Sequence, residues 1–185
     1  MSQEFTFPFP EVIRIEPAAG CNLACSHCPT GTISMKRGVM SKEVFEKILR
    51  TLRARRNEIH AVVLSHGGEA LLNKNFFHMV RAVKEIGIPF VKTVSNGMLL
   101  NDEAIEALID SGIDAIEIST DGDSPQANDF IRVNSDFGTI IGNVKRLIDA
   151  KRERGADKPA IIICQVQFVE PERFFFREKR NLLIV

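Results

Sequence analysis

Strand-length and helix-length apolar patterns alternate along this chain, and that alternation constrains its fold more than any other feature. Val12–Glu16 is a short β-rich run closed by Pro17. Ser41 can cap a helix whose apolar face is Val44, Phe45, Ile48, Leu49 and Leu52. Ile59–Ser65 is a second strand, and Phe76, Phe77, Met79, Val80, Val83 and Ile86 mark a second helix stopped by Gly87 and Pro89. Phe90–Ser95 follows as a strand. Asn101 or Asp102 then opens a helix carrying Ile105, Leu108 and Ile109, which Gly112 ends. Ala115–Ser119 is the fourth strand, Ser124-Pro125 starts a short helix, and Ile140, Ile141, Val144, Leu147 and Ile148 line a longer one. Ala160–Val169 is the fifth strand. Such alternation builds an α/β fold, a parallel sheet with helices outside. It does not separate an open doubly wound sheet from an arc of a barrel. Both carry function at the carboxyl ends of strands. The glycine-rich and polar stretches lie there: Ala18–Gly31, Ser65–Glu69, Ser95–Gly97, Ser119–Gly122, and Gln165 within the last strand.

The 185 residues suit one domain. Lys+Arg and Asp+Glu number 24 each, so neither a nucleic-acid nor an anionic-membrane partner is expected. No apolar run approaches the ~20 residues that span a bilayer, and the N-terminal residues lack the basic and apolar regions of a secretion signal. The expected location is cytoplasmic, where thiols stay reduced. That matters because three of the four cysteines, Cys21, Cys25 and Cys28, are closely clustered, while Cys164 lies far off in an apolar run and reads as core.

Separations of four and three can place three small residues on one helix face. Gly20 before the cluster and Pro29 after it leave room for barely two turns, which weakens that reading. A zinc site would need a fourth ligand. His27 is adjacent to Cys28 and badly placed to share one tetrahedral ion, whereas His66 after the second strand can complete a set. A thiol relay lacks the helix start that such motifs use. An iron–sulfur cluster held by three thiolates suits a wrapping loop, and three ligands for four irons leave one iron open to an outside chelator. No Gly-x-Gly-x-x-Gly follows the first strand, which disfavours a dinucleotide site.

With Cys21-x3-Cys25-x2-Cys28 after the first strand and Gly67-Gly68-Glu69 after the second, the sequence resembles the radical S-adenosylmethionine superfamily from about Val12 to Val169. Asp121-Gly122, Arg132 and Phe137-Gly138-Thr139 resemble the subgroup that carries a cysteine-rich SPASM-type extension. The resemblance implies a [4Fe–4S] cluster on Cys21, Cys25 and Cys28, with S-adenosylmethionine chelating the fourth iron. It implies a reductant such as flavodoxin or ferredoxin, whose electron cleaves the sulfonium to give a 5′-deoxyadenosyl radical. That radical takes hydrogen from a substrate, and by analogy peptide or protein modification and cofactor assembly are the classes favoured. Gly67 and Gly68 would let backbone approach the ligand, and Glu69 would accept from its ammonium. Asn96 and Ser119 would bond its ribose or amino-acid part, Arg132 its carboxylate. His27, where the family usually has an aromatic residue, and Gln165, facing the barrel interior, would line the adenine. Each has a plain alternative: a tight turn for Gly67–Glu69, a turn residue for Asn96, a strand-end serine for Ser119, a solvated arginine for Arg132.

The implied fold is a partial TIM-type (β/α) barrel, about five parallel strands with outer helices, incomplete at the C-terminus. Residues 1–10 read as an N-terminal extension, 11–169 as the core and 170–185 as a short tail with room for one more strand segment but no full βα unit. A complete eight-fold barrel takes ~250 residues, so the far wall is expected thin or missing, with a partner or second copy closing it. A non-catalytic zinc-binding domain and a degenerate fragment without turnover remain the rival readings.

Overall fold

The computed structural model describes residues 8–166 and the strand Leu183–Ile184. Its elements run β1 (Val12–Ile15), α1 (Pro29–Thr32), α2 (Lys42–Ala54), β2 (Ala61–Leu64), α3 (Phe76–Glu85), β3 (Phe90–Ser95), α4 (Asp102–Asp110), β4 (Ala115–Asp121), α5 (Pro125–Ile131), α6 (Phe137–Glu153), β5 (Ala160–Val166) and β6 (Leu183–Ile184). The strands form one open sheet in sequence order. β1 to β5 are parallel, as the alternation requires, and β6 pairs antiparallel with β5 through Ile162↔Ile184 and Ile163↔Leu183. An antiparallel return needs no crossover helix. The last part of the expected fifth strand, residues 167–169, and the tail outside β6 lie outside the described residues.

Helix starts follow the residues that satisfy free N–H groups. Ser41, Asn101, Ser124 and Asp136 each accept from the backbone N–H three positions on, at 3.3, 2.8, 3.1 and 2.6 Å. Asn101→Ala is therefore expected to lower stability by about 1 kcal/mol. Urea unfolding should show an earlier midpoint at an unchanged slope.

The helices cover one face of the sheet. Val62, Leu64, Val91, Ile116, Ile118 and Ile161 are buried there against Phe45, Leu49 and Leu52 of α2, Phe76 and Val80 of α3, Leu108 of α4, and Ile140 and Leu147 of α6. Val44 is not part of this face; it is 47% exposed, because the buried stripe of α2 is narrower than its apolar content. No described helix is long and apolar enough to cross a membrane.

The opposite face is mixed, with charged and polar side chains among apolar ones. Register puts Lys92 and Val94 of β3, Glu117 and Ser119 of β4, and Ile162 and Cys164 of β5 on it, with Glu117↔Ile162 and Ser119↔Cys164 as neighbours. Lys92 and Glu117 form an ion pair across adjacent strands. A parallel sheet packed on both faces reads as continuous apolar runs, so this face lines a space rather than a second core. Cys164, expected in the core, is half-buried on this inner face. An unbroken Ala160-Ile-Ile-Ile-Cys run carries no alternation to show which way each residue points.

Candidate active site

The cysteines lie on the loop after β1, at the carboxyl end of the sheet, and four segments hold that loop. From one side, Ala19 N–H donates to Gly38 O at 2.9 Å and Met40 N–H to Pro17 O at 2.8 Å, around an Ala18↔Val39 bridge. From the second, Glu69 N–H donates to Gly20 O at 2.8 Å. Gly68 sits so close that a Cβ there would lie 2.1 Å from Ala18 O and 2.5 Å from Gly20 O. From the third, Gly31 of α1 presses on the same loop, a Cβ there falling 2.6 Å from the Ala24 carbonyl carbon. From the fourth, Ala24 and Ser26 donate to Val133 O and Ile131 O, both at 2.9 Å. The segment is thus an extended, clamped loop, not a helix, which removes the helix-face reading of the cysteine spacing.

Cys25 is buried; Cys21 and Cys28 are half-buried. Cys21 Sγ accepts from Leu23 N–H at 3.4 Å and from the Asn96 amide at 3.7 Å. Burial pushes the Cys21 thiol up, against the pull of the Leu23 N–H. Burial also pushes Cys25 up, partly countered by the Arg132 guanidinium. Each of these two thiols also feels Cys28. A bound cation supplies the charge that makes such thiols ionise. Among the described residues, no three His, Cys, Asp or Glu side chains gather closely enough to hold a single metal ion. Zinc needs all its thiolates at about 2.3 Å from one centre, whereas a multi-iron cluster spreads them over its corners. The donor set, three mutually interacting thiols on a clamped loop, fits a cluster.

Glu69 is only 2% exposed. Its Oε1 accepts from Ser95 Oγ at 3.0 Å and Leu71 N–H at 3.2 Å, and its Oε2 from Asn96 N–H at 2.8 Å. Burial raises this carboxyl's pKa despite those donors. On the other side of the loop, the buried Asp121 takes Arg132 Nη1 at 2.7 Å on Oδ2, with His27 Nε2 3.8 Å away, and Val166 N–H at 3.0 Å on Oδ1. Asp121 N–H in turn donates to Asn128 Oδ1 at 3.0 Å. Arg132 is buried, and its Nε has no partner among the described residues. A donor left so costs about 1–3 kcal/mol, so an acceptor arriving beside Cys25 would be favoured.

The sequence pattern of the Radical SAM superfamily matches residues 15–162, which takes in the cysteine loop, β2 to β4 and the Asp121–Arg132 pair. The chain belongs to the radical SAM superfamily. Members of this superfamily use a [4Fe–4S] cluster and S-adenosylmethionine. The chain is 30% identical over 151 residues to the tungsten-containing aldehyde ferredoxin oxidoreductase cofactor-modifying protein of Pyrococcus furiosus, covering 80% of this chain and 41% of that protein. It is 28% identical over 159 residues to the PqqA peptide cyclase of Rhodopseudomonas palustris, covering 85% and 40%. Its fold is similar to that of Streptococcus suis SuiB, solved bound to S-adenosylmethionine, with a TM-score of 0.64, 23% identity, and coverage of 83% of this chain and 34% of that one. The chain therefore spans under half the length of these relatives.

Within this radical SAM core the expected residues fall into three groups. Cys21, Cys25, Cys28, His27, Gly67, Gly68, Glu69, Asn96 and Arg132 all lie around the clamped loop. Ser119 is on the inner face, half-buried beside Cys164. Gln165 is the correction: it is exposed and pairs with Thr120, on the strand face that Ile116 and Ile118 turn toward α6, not on the inner face. Three more of the expected residues have contacts of their own within the chain. Gly68 gives its missing Cβ space to the backbone of residues 18–20. Asn96 spends its amide on Asn22 Oδ1 at 2.8 Å and on Cys21, and its Oδ1 on Met98 N–H at 2.9 Å. Arg132 is no solvated arginine. Asp121, Asn128 and Gly31 were not among the expected site residues. Alternation along β4 was the available signal for Asp121, since Glu117, Ser119 and Asp121 share a face.

Proposed function

We propose that this chain is the cofactor-binding core of a radical SAM enzyme, with Cys21, Cys25 and Cys28 as the ligands of a [4Fe–4S] cluster. The observation that carries this is the Cys-x3-Cys-x2-Cys loop, clamped on four sides at the carboxyl end of the family's own sheet. Bound together, the cluster and S-adenosylmethionine supply a 5′-deoxyadenosyl radical for hydrogen abstraction. The chain's own work is placement and exclusion of water. Glu69 holds Ser95 and the Asn96 backbone in place and offers a buried carboxylate toward an ammonium. Arg132, anchored by Asp121, keeps an N–H for a carboxylate. Ser119 offers a hydroxyl on the inner face, and His27 a flat ring beside the last cysteine. Asn96 acts through Cys21 and Asn22, Gly68 through the loop it seats, and Gly67 through its backbone bonds with Glu16 and Thr30.

The substrate is proposed to be a peptide or a small molecule of cofactor assembly, taken up along the inner face. The support is the pair of relatives above, one cofactor-modifying and one a peptide cyclase. Anaerobic reconstitution with iron and sulfide should give broad absorption at about 400 nm and, with dithionite, 5′-deoxyadenosine. Cys25→Ala should abolish both. Stoichiometric zinc without iron, or a full cluster without cleavage, would overturn the reading.

A further inference from the structure

Residues 17–42 contain no aspartate or glutamate, although the chain as a whole carries equal numbers of acidic and basic residues. The same stretch carries Lys36, Arg37 and Lys42, and among the described residues none of the three makes an ion pair with a carboxylate. Three large apolar side chains in it face solvent: Ile33 at 57%, Met35 at 61% and Val39 at 58% exposure. All three fall within one short segment that also carries Lys36 and Arg37, and apolar side chains exposed together beside charge suit a contact surface.

This flap, residues 29–40, is bound to the cysteine loop at both ends. Ile33 follows α1, which begins directly after Cys28, and Gly31 lies against the backbone of Ala24 and Cys25. Arg37 ties the flap down by donating to Pro29 O at 3.0 Å and Ala19 O at 3.4 Å. Residues 38–40 pair with residues 17–19. The flap therefore packs directly on the backbone of the cysteine loop. The nearest preceding acid, Glu16, is engaged by Gly67 N–H at 2.8 Å.

We infer that this flap is the docking surface for an acidic one-electron donor protein. The inference rests on the cofactor reading above. The donor loses one electron and the group held by the cysteines gains it, with no other change on either side. An apolar centre of Ile33, Met35 and Val39 with Lys36 and Arg37 beside it suits a small, transient interface, steered by charge and weakened by salt. Lys42 opens α2, where Glu43 and Glu46 follow it, so the charge that belongs to the flap itself is Lys36 and Arg37.

The test compares reduction of the reconstituted cluster by flavodoxin hydroquinone with photoreduction by a neutral deazaflavin. Lys36→Glu combined with Met35→Ser leaves the Arg37 brace intact. It should slow the flavodoxin reaction about tenfold or more at low salt and flatten its salt dependence, with the deazaflavin rate unchanged. Lys145→Glu on α6 should leave both rates unchanged. With cluster-free chain, broadening of the flavodoxin NMR signals should appear for the wild type and be lost in the double variant. Equal slowing by both reductants, or a flavodoxin rate and salt slope unaffected by the double variant, would overturn the docking surface. A wild-type chain that takes up no cluster would overturn the cofactor reading instead.

Discussion

Gly68→Ala is expected to displace the cysteine loop and to cost about 1–3 kcal/mol of stability, with iron content after reconstitution falling to less than about half of wild type. The new methyl would lie 2.1 Å from Ala18 O, 2.5 Å from Gly20 O and 2.7 Å from the Ala19 carbonyl carbon. All three are backbone atoms of the loop that carries Cys21, so no side chain can rotate away to make room. Either the loop or the end of β2 must move, and the Glu69 N–H bond to Gly20 O goes with it. Neighbouring glycines provide the contrast. A Cβ at Gly67 would meet only the side-chain oxygens of Glu16 at 3.2 Å and Thr30 at 3.4 Å, and one at Gly20 meets nothing within 4 Å. Gly20→Ala should therefore stay within about 0.5 kcal/mol of wild type. Urea unfolding and iron per chain measure both effects. Full iron content in Gly68→Ala at an unchanged midpoint would show that the loop is not seated on this glycine.

Arg132→Met should cost about 3–5 kcal/mol, because it leaves the Asp121 carboxylate buried and without its counter-charge. The pair is well excluded from solvent, with side-chain exposures of 9% and 0%. His27 Nε2, at 3.8 Å from the same oxygen, is too distant to replace a 2.7 Å charge-assisted bond. Removing both charges in Arg132→Met/Asp121→Leu should cost less than the two single losses added together, since no unpaired charge then remains. A double-mutant cycle by denaturant unfolding reads the coupling directly. Additive losses would mean that the two side chains do not depend on each other. The same cycle matters for the cofactor reading, because Asp121 fixes the guanidinium whose Nε would meet the ligand.

Much of the scaffold is legible in the sequence. Ser41, Asn101 and Ser124 cap the helices they precede, and Phe90–Ser95 is a strand over its expected bounds. These are local matters, settled by capping chemistry and by periodicity within a few residues. The Cys21, Cys25, Cys28 spacing and Gly67-Gly68-Glu69 are also visible as short local motifs, although a tight turn is an equally simple use of the two glycines.

The rest depended on residues that meet only in three dimensions. Asp121 and Arg132 are eleven positions apart, across a turn and a helix, and nothing in either residue type names the other. The ladder from Ala24 and Ser26 to Val133 and Ile131 uses backbone groups alone, which leave no mark on side-chain identity. Gln165 was placed on the wrong face and Cys164 in the core because β5 is apolar on both sides of its pleat, so no alternation fixes its orientation. The sequence by itself determined the parallel strands, the helices and the close spacing of three thiols, since local propensity and spacing reside in the residues. Only the tertiary structure decided how that loop is clamped, that Lys92 and Glu117 pair on the inner face of the sheet, and that Arg132 is a buried, anchored donor, because close backbone approach and charge pairing are properties of distances between segments far apart in the chain.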